Sequence, residues 1–167
     1  PNNYRRIIAE LPGLVYYMAD DDLAVNLYAP STIRTTLDGG VSVTLDQVTD
    51  YPRSGRVLLR VNPARPARFG LRLRMPLWCH APSVTVNGQP VDPAPWPGEF
   101  YRIEREWRPG DEVALEFPMP FRLVKGRQAQ AGRVAIMRGP ILFCLNRARH
   151  PELADMDLRL LVLDTQS

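Results

Sequence analysis

Cys79 and His80 are neighbours, and a thiol beside an imidazole is the smallest pairing that gives a nucleophile its base. Adjacent residues of an extended chain point to opposite faces, so the spacing predicts a structural or surface role for His80 rather than a dyad. Cys144, inside the apolar run Ile141 to Leu145, is a remote second nucleophile that needs a base brought by folding. The other histidine, His150, falls in a relaxed stretch from Asn146 to Asp157 that reads as a long surface loop. Cys79 and Cys144 lack the paired spacing of a zinc site or redox motif, and each is expected as a small core or near-surface residue rather than half of a bridge. Gly39-Gly40 reads as a turn, and no glycine-rich loop leads from a strand into a helix to cradle a phosphate.

Paired carboxylates are the other route to chemistry, because cleavage of a glycosidic bond uses two of them at a set separation. Glu104 and Glu106 share one strand face, as do Glu112 and Glu116. Those faces lie opposite the apolar ones carrying Ile103, Val113, Leu115 and Phe117. Arg56, Arg60, Arg72, Arg74 and Arg105 supply basic faces, so cross-strand ion pairing is the expected role of these glutamates. Three aromatics remain as candidates for stacking on a sugar ring: Trp78, Trp96 and Tyr101. Trp78 and Trp96 stand in proline-rich, turn-like surroundings, whereas Trp107 ends a clean alternating run and is expected in the core. The residues assign no catalytic position and no metal ligand.

The elements that must hold these side chains are mostly strands. One helix is expected at the start, capped by Asn2 or Asn3, with Ile7, Ile8 and Leu11 on one face and Pro12-Gly13 as its stop. From Leu14 the apolar period becomes two. Hairpins are predicted from Leu14 to Tyr28, around Asp20-Asp21-Asp22, and from Thr32 to Val48, around Asp38-Gly39-Gly40. Arg68 to Met75 alternates Phe69, Leu71, Leu73 and Met75 against arginines. Asn87-Gly88 between two short β runs is a strong signal for a type I′ turn. Further strands are predicted at Phe100 to Trp107, Glu112 to Phe117, Phe121 to Val124, Arg133 to Arg138, Ile141 to Leu145 and Leu158 to Leu163. The fold class that follows is all-β: an antiparallel two-sheet sandwich, jelly-roll-like, with one short N-terminal helix.

The chain has 167 residues, of which 45% are hydrophobic and 23% charged, enough for a core without disulfide or metal. Twenty-one basic residues, all arginine except Lys125, stand against 18 acidic ones, for a net charge of +3. This mild excess is spread along the chain, so no nucleic-acid partner is expected. No apolar run approaches the ~18 residues of a membrane span, so no membrane partner is expected either. The chain starts at Pro1-Asn2 without Met and is expected to be a segment of a longer protein.

Several motifs in order resemble one family. They are Pro1-Asn2, Leu11-Pro12-Gly13, Val15-Tyr16-Tyr17, Val25 to Ser31, Thr49-Asp50-Tyr51-Pro52, Leu71 to Trp78 and Val84 to Gly88. Tyr101-Arg102-Ile103, Trp107 to Asp111, Phe117-Pro118-Met119-Pro120 and Arg138-Gly139-Pro140 continue the series. Together they resemble the C-terminal part of the β-L-arabinofuranosidases of glycoside hydrolase family 127. The resemblance implies a parent enzyme whose (α/α)6 barrel carries the chemistry, followed by β-sandwich domains. It implies a zinc held by cysteines and a glutamate in that barrel, a cysteine nucleophile and a retaining mechanism. Two of those cysteines precede a Pro-Asn in the family, and neither Cys79 nor Cys144 matches them, so no site residue is carried over and no cofactor is expected in this chain. Residues 1–13 would be the tail of the last barrel helix and residues 14–167 a sandwich that packs on the barrel and stabilises it. The alternatives are an autonomous carbohydrate-binding module using Trp78, Trp96 or Tyr101, and an oligomerisation domain.

Overall fold

Alternation of apolar and polar side chains builds two facing sheets in the computed structural model, which describes residues 2–19, 22–153 and 155–157. Helix α1 (Asn2–Glu10) runs into a 3-10 turn at Leu11–Leu14, where Pro12 lies in the first turn. The strands are β1 (Tyr16–Ala19), β2 (Asp22–Val25), β3 (Ser31–Thr36), β4 (Ser42–Thr49), β5 (Arg56–Pro63), β6 (Ala67–Arg74) and β7 (Ser83–Val86). They continue as β8 (Gln89–Pro90), β9 (Phe100–Trp107), β10 (Asp111–Glu116), β11 (Phe121–Lys125), β12 (Val134–Arg138) and β13 (Ile141–Phe143). One sheet has the order β1-β2-β6-β9 and the other β3-β4-β5-β10-β7-β8.

The inner faces of these sheets form the core. Leu23, Val25, Phe69, Leu71, Leu73 and Trp107 from the four-stranded sheet meet Val43, Leu45, Val57, Leu59, Val61, Val113 and Leu115 from the six-stranded one. Trp107 is fully buried, and its indole N–H donates to the Phe69 carbonyl at 3.1 Å. Tyr28, Tyr51, Phe117 and Trp78 close one end, with ring centroids 5.2–6.4 Å apart and the Tyr28 hydroxyl donating to the Arg74 carbonyl.

The expected sandwich is therefore present, as are the N-terminal helix and the predicted hairpins. Asn87 and Gly88 adopt φ of 51° and 79°, the left-handed pair that a type I′ turn requires. Three features go beyond the sequence expectation. The pairing of β2 with β6 is parallel, an exception within the antiparallel scheme. Strand β5 was not predicted: Leu58 faces outward between Val57 and Leu59 and blurs the alternation. A third sheet, β11-β12-β13, stands apart from the two sandwich layers. The stretch after it contains two 3-10 turns, Arg147–Arg149 and Pro151–Leu153. The strand expected at Leu158 to Leu163 lies outside the described residues. No helix among the described residues is long and apolar enough to cross a membrane.

Candidate functional site

The carboxylates resolve into ion pairs. Glu112 accepts from Arg60 at 3.2 Å, and Glu116 lies 3.8 Å from Arg56, both across the register of β10 on β5. Glu104 on β9 accepts from Arg68 at 3.1 Å and from Arg102 at 2.7 Å, while Glu106 is 3.4 Å from Arg108. Arg105 corrects the expected arrangement. It lies on the inner face of β9, over the Trp107 ring at 5.3 Å, and 3.8 Å from Asp111 rather than beside the glutamates.

The Cys79–His80 neighbours lie in the turns after β6, with Cys79 buried in the core and His80 exposed. Burial pushes the Cys79 thiol up, away from thiolate character. Cys144 is exposed and unbridged, and His150 Nδ1 lies 3.0 Å from Glu152. These donors do not fit the zinc implied by the resemblance: among the described residues no three His, Cys, Asp or Glu gather to hold a metal.

The three aromatic candidates separate into two places. Trp78 is part of the end cluster, edge-on to Phe117 with centroids 6.3 Å apart. It also borders a small cavity of ≈ 180 Å³ with His80, Pro118, Pro120 and Arg122. Trp96 and Tyr101 come together in a cleft of ≈ 310 Å³ with Asp92, Glu99, Phe100 and Arg102. Trp96 is 74% exposed although it is the largest side chain of its loop. The cleft also includes groups that composition did not single out, Asp92, Glu99 and Arg102.

Arg102 also belongs to an electrostatic clamp on the outer face of the four-stranded sheet. Arg102 Nε and Arg72 Nε both donate to Asp22 Oδ2 at 2.6 Å, and Arg102 Nη2 donates to Oδ1 at 3.1 Å. Hydrogen bonding from Arg102, assisted by Arg72 against the opposing effect of burial, holds the Asp22 carboxyl below the usual aspartate range. Arg102 also holds Glu104 low and is itself pushed up by both partners. Gly70, beside Asp22 in the sheet, leaves the space for this carboxylate, since a Cβ there would overlap it.

A larger, shallower trough of ≈ 830 Å³ crosses the outer face of β4, β5, β7 and β10. Its middle is Val48, Leu58 and Ala114, and it has no aromatic ring.

Comparison with known proteins places this geometry. Residues 22–119 match the family model described as the beta-L-arabinofuranosidase, GH127 middle domain. The non-reducing end beta-L-arabinofuranosidase of Bifidobacterium longum subsp. longum is 31% identical over 162 residues, covering 90% of this chain and 24% of that protein. The crystal structure of a GH127 beta-L-arabinofuranosidase from Geobacillus stearothermophilus T6 superposes with a TM-score of 0.81 at 43% identity, over 89% of this chain and 24% of that one. A further GH127 beta-arabinofuranosidase superposes with a TM-score of 0.76 at 33% identity, over 85% and 25%. This chain thus spans about a quarter of the length of these relatives. The match is to a middle domain and does not carry the C-terminal placement expected from the motifs. With the model matched from β2 through the Phe117 end of the core, the chain belongs to the GH127 beta-L-arabinofuranosidase family, in its middle domain.

Proposed function

We propose that this chain is a non-catalytic sandwich domain of a glycoside hydrolase acting on arabinofuranosides, and that it packs on a catalytic barrel carried by the same protein. The match to the GH127 middle domain is the observation that carries this reading. The state of the carboxylates supports it: Glu104, Glu106, Glu112 and Glu116, the two same-face pairs of the sequence, are all engaged by arginines. Helix α1 supports the packing role. Its nine residues are too few to be stable alone, and Ile7 and Ile8 remain 59% and 52% exposed. Residues 1–13 are, on this proposal, the end of a barrel helix, and zinc and nucleophile belong to the barrel.

The test is hydrolysis of a chromogenic β-L-arabinofuranoside by this chain and by the natural protein extended upstream. Activity confined to the longer protein is expected. Turnover by the 167-residue chain would overturn the reading. Light scattering addresses self-association, since a monomer at high concentration removes the oligomerisation alternative.

A further inference from the structure

The loop that carries Trp96 is held far more firmly than an exposed loop needs to be. Pro93, Pro95 and Pro97 fix φ at every second residue around it. Its C-terminal end is tied to Met75, the residue after β6, by two backbone bonds, Met75 N–H to the Glu99 carbonyl at 2.8 Å and Gly98 N–H to the Met75 carbonyl at 3.0 Å. The Tyr101 hydroxyl donates to the Pro93 carbonyl at 2.8 Å and ties the first part of the loop. An indole is thereby presented to solvent on a backbone already ordered, so a ligand stacking on it meets little further entropy cost.

The polar groups around the indole specify what suits it. Arg102 is neutralised by Asp22 and Glu104, whereas Asp92 and Glu99 have no ion pair among the described residues. The cleft therefore disfavours anions and offers acceptors to hydroxyl donors beside an aromatic face. At ≈ 310 Å³ it lies at the lower end of small-molecule sites, which run to about 1,000 Å³. Phe100, in its wall, contacts Tyr17 of β1 edge-on with centroids 6.0 Å apart.

We propose that this cleft is a subsite for one neutral sugar residue of a glycan. Its carbon face lies on the Trp96 indole, and its hydroxyls donate to Asp92 and Glu99. The choice of sugar rests on the glycoside-hydrolase reading, while the site itself rests on the loop and its carboxylates.

Titration of the natural full-length protein with neutral arabino-oligosaccharides, followed by tryptophan fluorescence and calorimetry, tests it. Saturable binding is expected, with a Kd on the order of 1 mM. Trp96→Ala is expected to weaken it about tenfold or more, Trp96→Tyr to retain most of it, and oligogalacturonate to bind far less because of its charge. Unchanged melting of Trp96→Ala separates loss of the site from loss of the fold. No saturation by the wild type, or equal binding by Trp96→Ala, overturns the proposal. So does a Trp96 shielded from acrylamide in the full-length protein, which would mean that another part of the protein covers it. Binding is read without turnover, so an inactive protein that still binds through Trp96 would refute the enzymatic reading and leave the subsite standing.

Discussion

Asp22 and Gly70 form one device divided between two strands, and neither makes sense without the other. The carboxylate lies where a side chain at position 70 would be, and two guanidiniums close on it. Gly70→Ala is expected to cost about 1–3 kcal/mol by overpacking, read as a lower urea midpoint, and an unchanged midpoint would refute the arrangement. Asp111 is a second such point. Its carboxylate accepts from the Arg108 N–H at 2.9 Å and from Asn87 Nδ2 at 2.8 Å, and Asn87 Oδ1 accepts from the Glu112 N–H. Burial pushes the Asp111 carboxyl up, but these bonds outweigh it and leave it low. Asp111→Ala, which removes the charged acceptor of both bonds, is expected to cost about 1–3 kcal/mol in the same measurement. Asp22, Glu104 and Asp111 all have folded values below their ordinary ones of 3.8, 4.5 and 3.8. Their contribution is complete above those values and is lost as pH falls below them through the folded ones. Melting temperature should hold from neutrality to about pH 4.5 and then decline, and the deficit of Asp22→Asn relative to wild type should shrink over that decline. A deficit equal at pH 3 and pH 7 would contradict the clamp.

At the scale of elements, α1 and the third sheet both leave apolar faces open. On β11, β12 and β13, Phe121, Leu123, Val134 and Phe143 lie on one face, and all four are exposed, with Phe121 at 66%. Few buried contacts mean cheap local opening. Amide exchange in β11–β13 is expected to be faster than in β5, β6 and β10, and equal protection would show that the third sheet opens only with the sandwich. Helix α1 gives a sharper contrast. Ile8→Asp should alter the stability of the 167-residue chain by no more than about 0.5 kcal/mol, since the side chain is half exposed. In the longer protein it should lower the melting temperature clearly if the helix packs there. Equal, negligible effects in both would remove α1 from the interface.

For the whole molecule, the core is organised around Trp107. Trp107→Ala is expected to cost about 3–5 kcal/mol by denaturant unfolding, a large share of the roughly 5–15 kcal/mol typical of a domain. Periodicity made this core legible, because the buried positions of β4, β6 and β10 recur at every second residue. It failed for β5, where Leu58 faces the outer trough, and it could not reveal that β2 runs parallel to β6. The ion pairs of Glu112 and Glu116 were legible as cross-strand neighbours. The clamp on Asp22 was not, since Asp22 reads as the end of an acidic turn and Arg102 meets it only through the sheet order. The cleft shows the same limit. Residue type singled out Trp96 and Tyr101, but the ties from Met75 to Glu99 and Gly98 and from Tyr101 to Pro93 that bring them into one cleft arise only in the folded chain.

The way Trp96 is mounted has a consequence for how such a surface diversifies. Its loop takes its shape from prolines and main-chain bonds, none of which involves the indole itself. Position 96 is accordingly a socket whose occupant can be exchanged without rebuilding the frame. Related chains that keep the frame are free to vary this one side chain, and a library at position 96 would sample new recognition at almost no cost in folding.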